Sequence, residues 1–228
     1  MKKVLIIGGL LALLPLSSSC IVNVNGNGKS VRCKGPVVTR NLELSDFDSI
    51  TLNGSCDIDL VQQNGFLVSV KANEEVFEHI NFHVENGTLM LETKDNVNIL
   101  AEEYTVTIGL PVLNDFVVNG AGDVDLKNGY SYAGPLKIVV NGAGDMDFTG
   151  VQVPDLSIIV NGAGDIDAND LNVKMLNIDV HGAGDARVSG KASRAELSVS
   201  GVGDIDARAL DCDDVHTSKS GVASIRTK

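Results

Sequence analysis

Apolar and polar residues alternate along the second half of this chain, and a pair of glycines punctuates the alternation about every twenty residues. Asn141-Gly142-Ala143-Gly144-Asp145 recurs nearly unchanged at 119–123, 161–165, 181–185 and 200–204. The first glycines are Gly120, Gly142, Gly162, Gly182 and Gly201, in steps of 22, 20, 20 and 19 residues. Faded copies begin at Asn53 and Ser220. Counted from the first glycine as zero, position −4 holds Ile50, Phe116, Ile138, Ile158, Ile178 and Leu197. Position −2 holds Leu52, Val118, Val140, Val160, Val180 and Val199, and position +4 holds Ile58, Val124, Met146, Ile166, Ala186, Ile205 and Ile225. All these offsets are even, and alternate residues of an extended chain share a face. The even positions therefore predict strands with one buried face, and the glycines fall on that face, where the chain bends and a side chain would collide.

A fixed period near twenty marks a solenoid, each repeat being one coil stacked on the last. The pattern predicts an all-β chain: a parallel β-solenoid with ~20-residue coils and irregular N-terminal coils; a right-handed coil agrees with the general preference of parallel crossovers. Regular Gly-x-Gly-Asp repeats occupy 116–228. Between 61 and 115 the period fails. Phe66 to Lys71, Thr88 to Thr93 and Tyr104 to Ile108 read as strands, with an Asn86-Gly87 turn. Glu74 to Ile80 reads as a helical turn or two. This region is either irregular coils continuing the stack or a small sheet capping its N-terminal end; in both cases 30–228 is a single domain.

Residues 1–19 read as a secretory signal: Lys2 and Lys3, an apolar run from Val4 to Leu14, then Ser17-Ser18-Ser19. Cys20 follows directly, as in bacterial lipoproteins, where such a cysteine carries the lipid; the alternative is an ordinary signal peptide with a chance cysteine. Residues 20–29 form a polar, Asn/Gly-rich tether. The chain is then exported and lipid-anchored to the cell envelope, at the outer membrane, and meets the membrane through its N-terminal lipid. Three cysteines remain. Cys33 lies about one coil before Cys56, so a bridge between them is open, and Cys212, at the position of Val153 and Val173, should be a buried free thiol.

Net charge is −12, or −14 without Lys2 and Lys3, which excludes nucleic acid as a partner. The acids are patterned. Stacked coils turn the odd positions into outward columns, one containing Asp123, Asp145, Asp165, Asp185 and Asp204, the next Asp125, Asp147, Asp167 and Asp206. These form the candidate binding face. The +3 carboxylates can accept amides of their own glycine turns, as Asx turns do, or the two columns together can bind Ca²⁺. Arg187 and Arg226, standing in the second column, favour the former by relieving the repulsion, so no cofactor is expected. Position −3 holds Val117, Val139 and Ile159, an outward apolar stripe that either marks an oligomer or partner contact or is covered by residues 61–115 or the tether. His79 and His83 are four apart, yet Ile80, Phe82 and Val84 around them alternate like a strand.

The Asn-Gly-Ala-Gly-Asp-Ile-Asp repeats, with Gly35-Pro36-Val37-Val38-Thr39-Arg40, Phe47-Asp48-Ser49-Ile50 and Glu74 to Ile80 before them, resemble the autotransporter-adhesin head domains with GIN repeats found in Bacteroidetes lipoproteins. The resemblance covers about residues 30–228. It implies a right-handed solenoid similar in outline to pectin-lyase-like folds, an adhesive role at the cell surface and a homotrimer. It brings no catalytic residues. Two functions remain: a non-enzymatic binding protein displaying an acidic face to a glycan or surface-protein partner, or a carbohydrate-active hydrolase or lyase using paired carboxylates.

Overall fold

The computed structural model describes residues 30–94 and 97–228; the signal segment, Cys20 and the tether lie outside the described residues. The first half contains β1 (Ser30–Cys33), β2 (Val37–Leu42), β3 (Ser49–Ser55), β4 (Asp57–Gln62), β5 (Leu67–Asn73), α1 (Val76–His79), β6 (Ile80–Glu85), β7 (Thr88–Thr93), β8 (Asn98–Ala101) and β9 (Tyr104–Leu110). The second half contains β10 (Asp115–Ala121), β11 (Val124–Lys127), β12 (Tyr130–Ser131), β13 (Leu136–Ala143), β14 (Met146–Thr149), β15 (Val151–Ala163), β16 (Ile166–Ala183), β17 (Ala186–Asp211) and β18 (Asp214–Arg226).

The fold is a β-solenoid of about six turns. Each coil has a long first side ending at the glycines, a shorter second side beginning at +4 and a short third side near +10. On the first side, β3, β10, β13, β15, β16, β17 and β18 stack in parallel and in register, with Gly120 over Gly54, Gly142 over Gly120 and so on to Gly221 over Gly201. The inward even positions are buried, as the alternation predicts: Ile138, Ile158 and Ile178 are fully enclosed, with Val140, Val160 and Val180 beside them. Burying such side chains contributes roughly 1.5–3 kcal/mol each. A coil cannot do this alone, because its inner face is covered only by the coils above and below.

The glycine corner differs from its expected form in one respect. A side chain there would strike the neighbouring coil rather than the core. A Cβ on Gly144 would overlap the carbonyl oxygen of Gly122 and lie 2.8 Å from its carbon. The corner backbones are thus closer together than any L side chain permits, and Gly144 also has φ +138°.

Residues 61–115 satisfy both expectations at once. β7 pairs with β3 and β9 with β4, both in parallel, so 88–110 form one more coil. That coil sits beneath the one that precedes it in sequence, while β10 returns above. Antiparallel strands close the end: β6 on β7 through Asn86 and Gly87, both at positive φ, then β5 on β9 and β2 on β5. Asn73, the buried polar residue here, has partners on both its side-chain oxygen and its side-chain nitrogen. Its Nδ2 donates to Gly35 O (2.7 Å), and its Oδ1 accepts the amides of Glu102 (2.8 Å) and Glu103 (3.2 Å).

All three described cysteines are free thiols, so the Cys33–Cys56 bridge is not formed. Cys56 is buried in the slot that later coils give to the second glycine. Cys212 is half-buried rather than buried, because no described coil lies above it.

Candidate functional site

The second side of the solenoid carries the acidic columns. Its register places Asp59, Asp125, Asp147, Asp167 and Arg187 in one line, one coil apart. The column nearer the corner is a hydrogen-bonded ladder. The Asp123 amide donates to Asp57 Oδ1 (3.1 Å), Asp145 to Asp123 (2.9 Å), Asp165 to Asp145 (2.9 Å), Asp185 to Asp165 (2.8 Å) and Asp204 to Asp185 (2.8 Å). Each carboxylate therefore accepts from the next coil, not from its own turn as expected. The backbone explains the difference. The +2 and +4 amides reach upward, as in Gly122 N to Ala143 O (3.2 Å) and Val124 N to Asp145 O (2.9 Å). The +3 amide points the other way, and the carboxylate below takes the place of a carbonyl. A charge-assisted bond of this kind is shorter and stronger than a neutral one.

The cations are arranged differently from the sequence expectation. Arg187 pairs with Asp167 (3.3 Å). Arg226 stands in register with Asp206 but pairs with Asp204 (2.8 Å), while Arg208 takes Asp206 (2.6 Å). Lys127 bridges Asp59 (3.4 Å) and Asp125. Lys127 and Arg208 were not singled out in the sequence, although each lies two residues after its aspartate and so on the same strand face. The Arg208 guanidinium holds the Asp206 carboxyl down at about 2. The Ser224 hydroxyl, and then Arg226, lower Asp204.

Asp145, Asp147 and Asp165 make no ion pair among the described residues; Asp147 accepts only the Thr149 hydroxyl (2.8 Å). They line a shallow groove of about 480 Å³ that runs from Asp57 and Asp59 up to Arg187. Charges about 5 Å apart repel by roughly 0.8 kcal/mol in water, so a cationic ligand laid along this stretch relieves several such terms. Among the described residues, no group of three or more His, Cys, Asp or Glu side chains has the arrangement of a metal site. His79 ends α1, whereas His83 lies within β6 beside Asn81 (3.4 Å), so they do not share a helical face.

On the first side, Val117, Val139 and Ile159 stack in register between the buried inward positions and are half-buried. Beside them runs an asparagine ladder. Asn119 donates to Asn53 (2.9 Å), Asn141 to Asn119 (2.8 Å) and Asn161 to Asn141 (2.8 Å). It ends at His181, which pairs with Asp179 (2.9 Å).

Residues 46–228 match the family described as "Putative auto-transporter adhesin, head GIN domain". The chain belongs to that family. Solved structures agree on the fold of the adhesin-head chain. A protein described as a putative lipid-binding protein from Parabacteroides distasonis superposes with a TM-score of 0.74 at 21% identity, over 88% of this chain and 100% of its own. One described as a putative adhesin from Bacteroides fragilis gives 0.70 at 19% identity, over 87% and 100%. A second described as a putative adhesin, also from P. distasonis, gives 0.61 at 16%, over 88% and 100%. No curated protein matches the chain.

Proposed function

We propose that this member of the adhesin-head family is a non-enzymatic binding protein of the cell envelope. In this reading it is held by a lipid on Cys20 and presents the acidic second side to a surface partner carrying regularly spaced positive charge. One observation carries the reading: the functional groups are equal. Four stacked coils, from Asp57 and Asp59 to Asp165 and Asp167, offer the same two carboxylates at the same places, and Asp145, Asp147 and Asp165 have no cation of their own among the described residues. Catalysis needs one local, unequal constellation of groups, whereas adhesion to an extended partner gains from repetition, since linked weak contacts add up.

The test is binding of the purified chain to immobilised cationic polymers, polylysine as the peptide and chitosan as the glycan, across a salt series. Binding should weaken as salt rises, and Asp145→Asn, Asp147→Asn and Asp165→Asn should each weaken it by a similar factor. Turnover of a polysaccharide that disappears on one of these substitutions alone would instead establish a carbohydrate-active enzyme.

A further inference from the structure

The two ends of the solenoid differ. Antiparallel strands close the first end, but β18 is hydrogen-bonded along one edge only among the described residues. Its inward positions also depart from the repeat. Where the coils below place Val118, Val140, Val160, Val180 and Val199, β18 has Lys219, and where they place Phe116, Ile138, Ile158, Ile178 and Leu197, it has Thr217. Lys219 makes no ion pair among the described residues, and neither does Asp213.

A lysine at a strand edge ordinarily discourages pairing with another chain. Here charge is segregated along the edge. Asp213 and Asp214 stand at its start, just after Asp211 ends β17, and Lys219 and Arg226 follow along it with Lys228 two residues beyond; the last eighteen residues are neutral in a chain of net charge −12. Two copies related by a two-fold axis run their edge strands antiparallel, and the acidic start of each then meets the basic part of the other. This self-complementarity is what an isologous interface requires.

We propose that β18 is a self-association edge: two copies pair their Asp214–Ser220 arms antiparallel, and Lys219 of each copy meets Asp213 and Asp214 of the other. Existing partners do not obstruct this, because the Lys228–Asp211 (3.5 Å), Arg194–Asp214 (3.4 Å) and His216–Asp214 (2.9 Å) contacts are exposed surface pairs, which contribute little. The contact is a strand edge rather than a broad face, so the dimer forms with rising concentration.

Sedimentation velocity of the full-length chain in mild detergent tests the proposal. The expected result is a concentration-dependent rise from one chain to two. Lys219→Glu alone and Asp213→Lys alone should each remain single. An equimolar mixture of the two variants, or both changes in one chain, should restore the pair. Both positions are exposed, so unchanged circular dichroism separates lost association from lost folding. A single-chain mass at every concentration, a mass of three chains, or a dimer indifferent to both charge reversals would overturn it.

Discussion

Gly144→Ala tests the corner packing on which the whole stack depends. The added methyl would overlap the Gly122 carbonyl oxygen and lie 2.8 Å from its carbon and 3.2 Å from its nitrogen, against 3.4–4 Å for ordinary contact. To accept it, the two coils must part at the corner by on the order of 1 Å. That separation strains three bonds: Gly122 N to Ala143 O (3.2 Å), Val124 N to Asp145 O (2.9 Å) and Asp145 N to Asp123 Oδ1 (2.9 Å). At about 1 kcal/mol net for each, these amount to about 3 kcal/mol. Holding alanine at φ +138° adds roughly 1–3 kcal/mol. The sum, about 4–6 kcal/mol, is a large part of the 5–15 kcal/mol typical of a folded domain. Gly65→Ala is the control. Gly65 has φ +98° but nothing within 4 Å of a new Cβ, so it carries the conformational cost without the collision. Urea unfolding followed by far-ultraviolet circular dichroism measures both. If Gly144→Ala costs no more than Gly65→Ala, the close approach of the coils is not what the glycines are for, and the corner argument fails.

Three further outcomes follow from the ladders and the thiols. Asp165→Ala leaves the Asp185 amide without its acceptor and should cost about 1–2 kcal/mol, whereas Asp165→Asn keeps an oxygen in place and should cost less; urea midpoints of the pair decide it. Asp206 titrates at about 2 when folded, below the ~3.9 of an unfolded aspartate. Its contribution is therefore complete above pH ~4 and lost as pH falls toward 2. Arg208→Ala should raise that pKa toward the unfolded value, as read by carboxyl-carbon NMR titration. Burial raises the Cys56 and Cys33 thiols, and the thiolate is the reactive form. A Cys20→Ser chain should thus give one thiol equivalent to a disulfide reagent when native and three when unfolded, with Cys212→Ser abolishing the native one.

The coil period, the buried face and the register of the columns were all legible in the sequence, because a parallel in-register stack imposes the same environment on the same offset of every coil. Val140 and Val160 had to be inward, and Asp147 and Asp167 had to lie one above the other. The order of the coils at the first end was not legible. Nothing local to Thr88 or Tyr104 says that their strands slide beneath β3 and β4 rather than above; the pairing is settled by which exposed edges remain once β10 has taken the upper one. The partners of the charged groups were equally beyond the sequence. An Asx turn and a bond to the next coil use the same aspartate, and only the direction of the Asp145 amide after two closely packed glycines selects the second. Arg226 likewise reaches Asp204 rather than its register neighbour because Arg208 already holds Asp206. Periodicity fixes what each coil repeats, whereas contacts between coils depend on backbone directions that appear only when the coils are stacked.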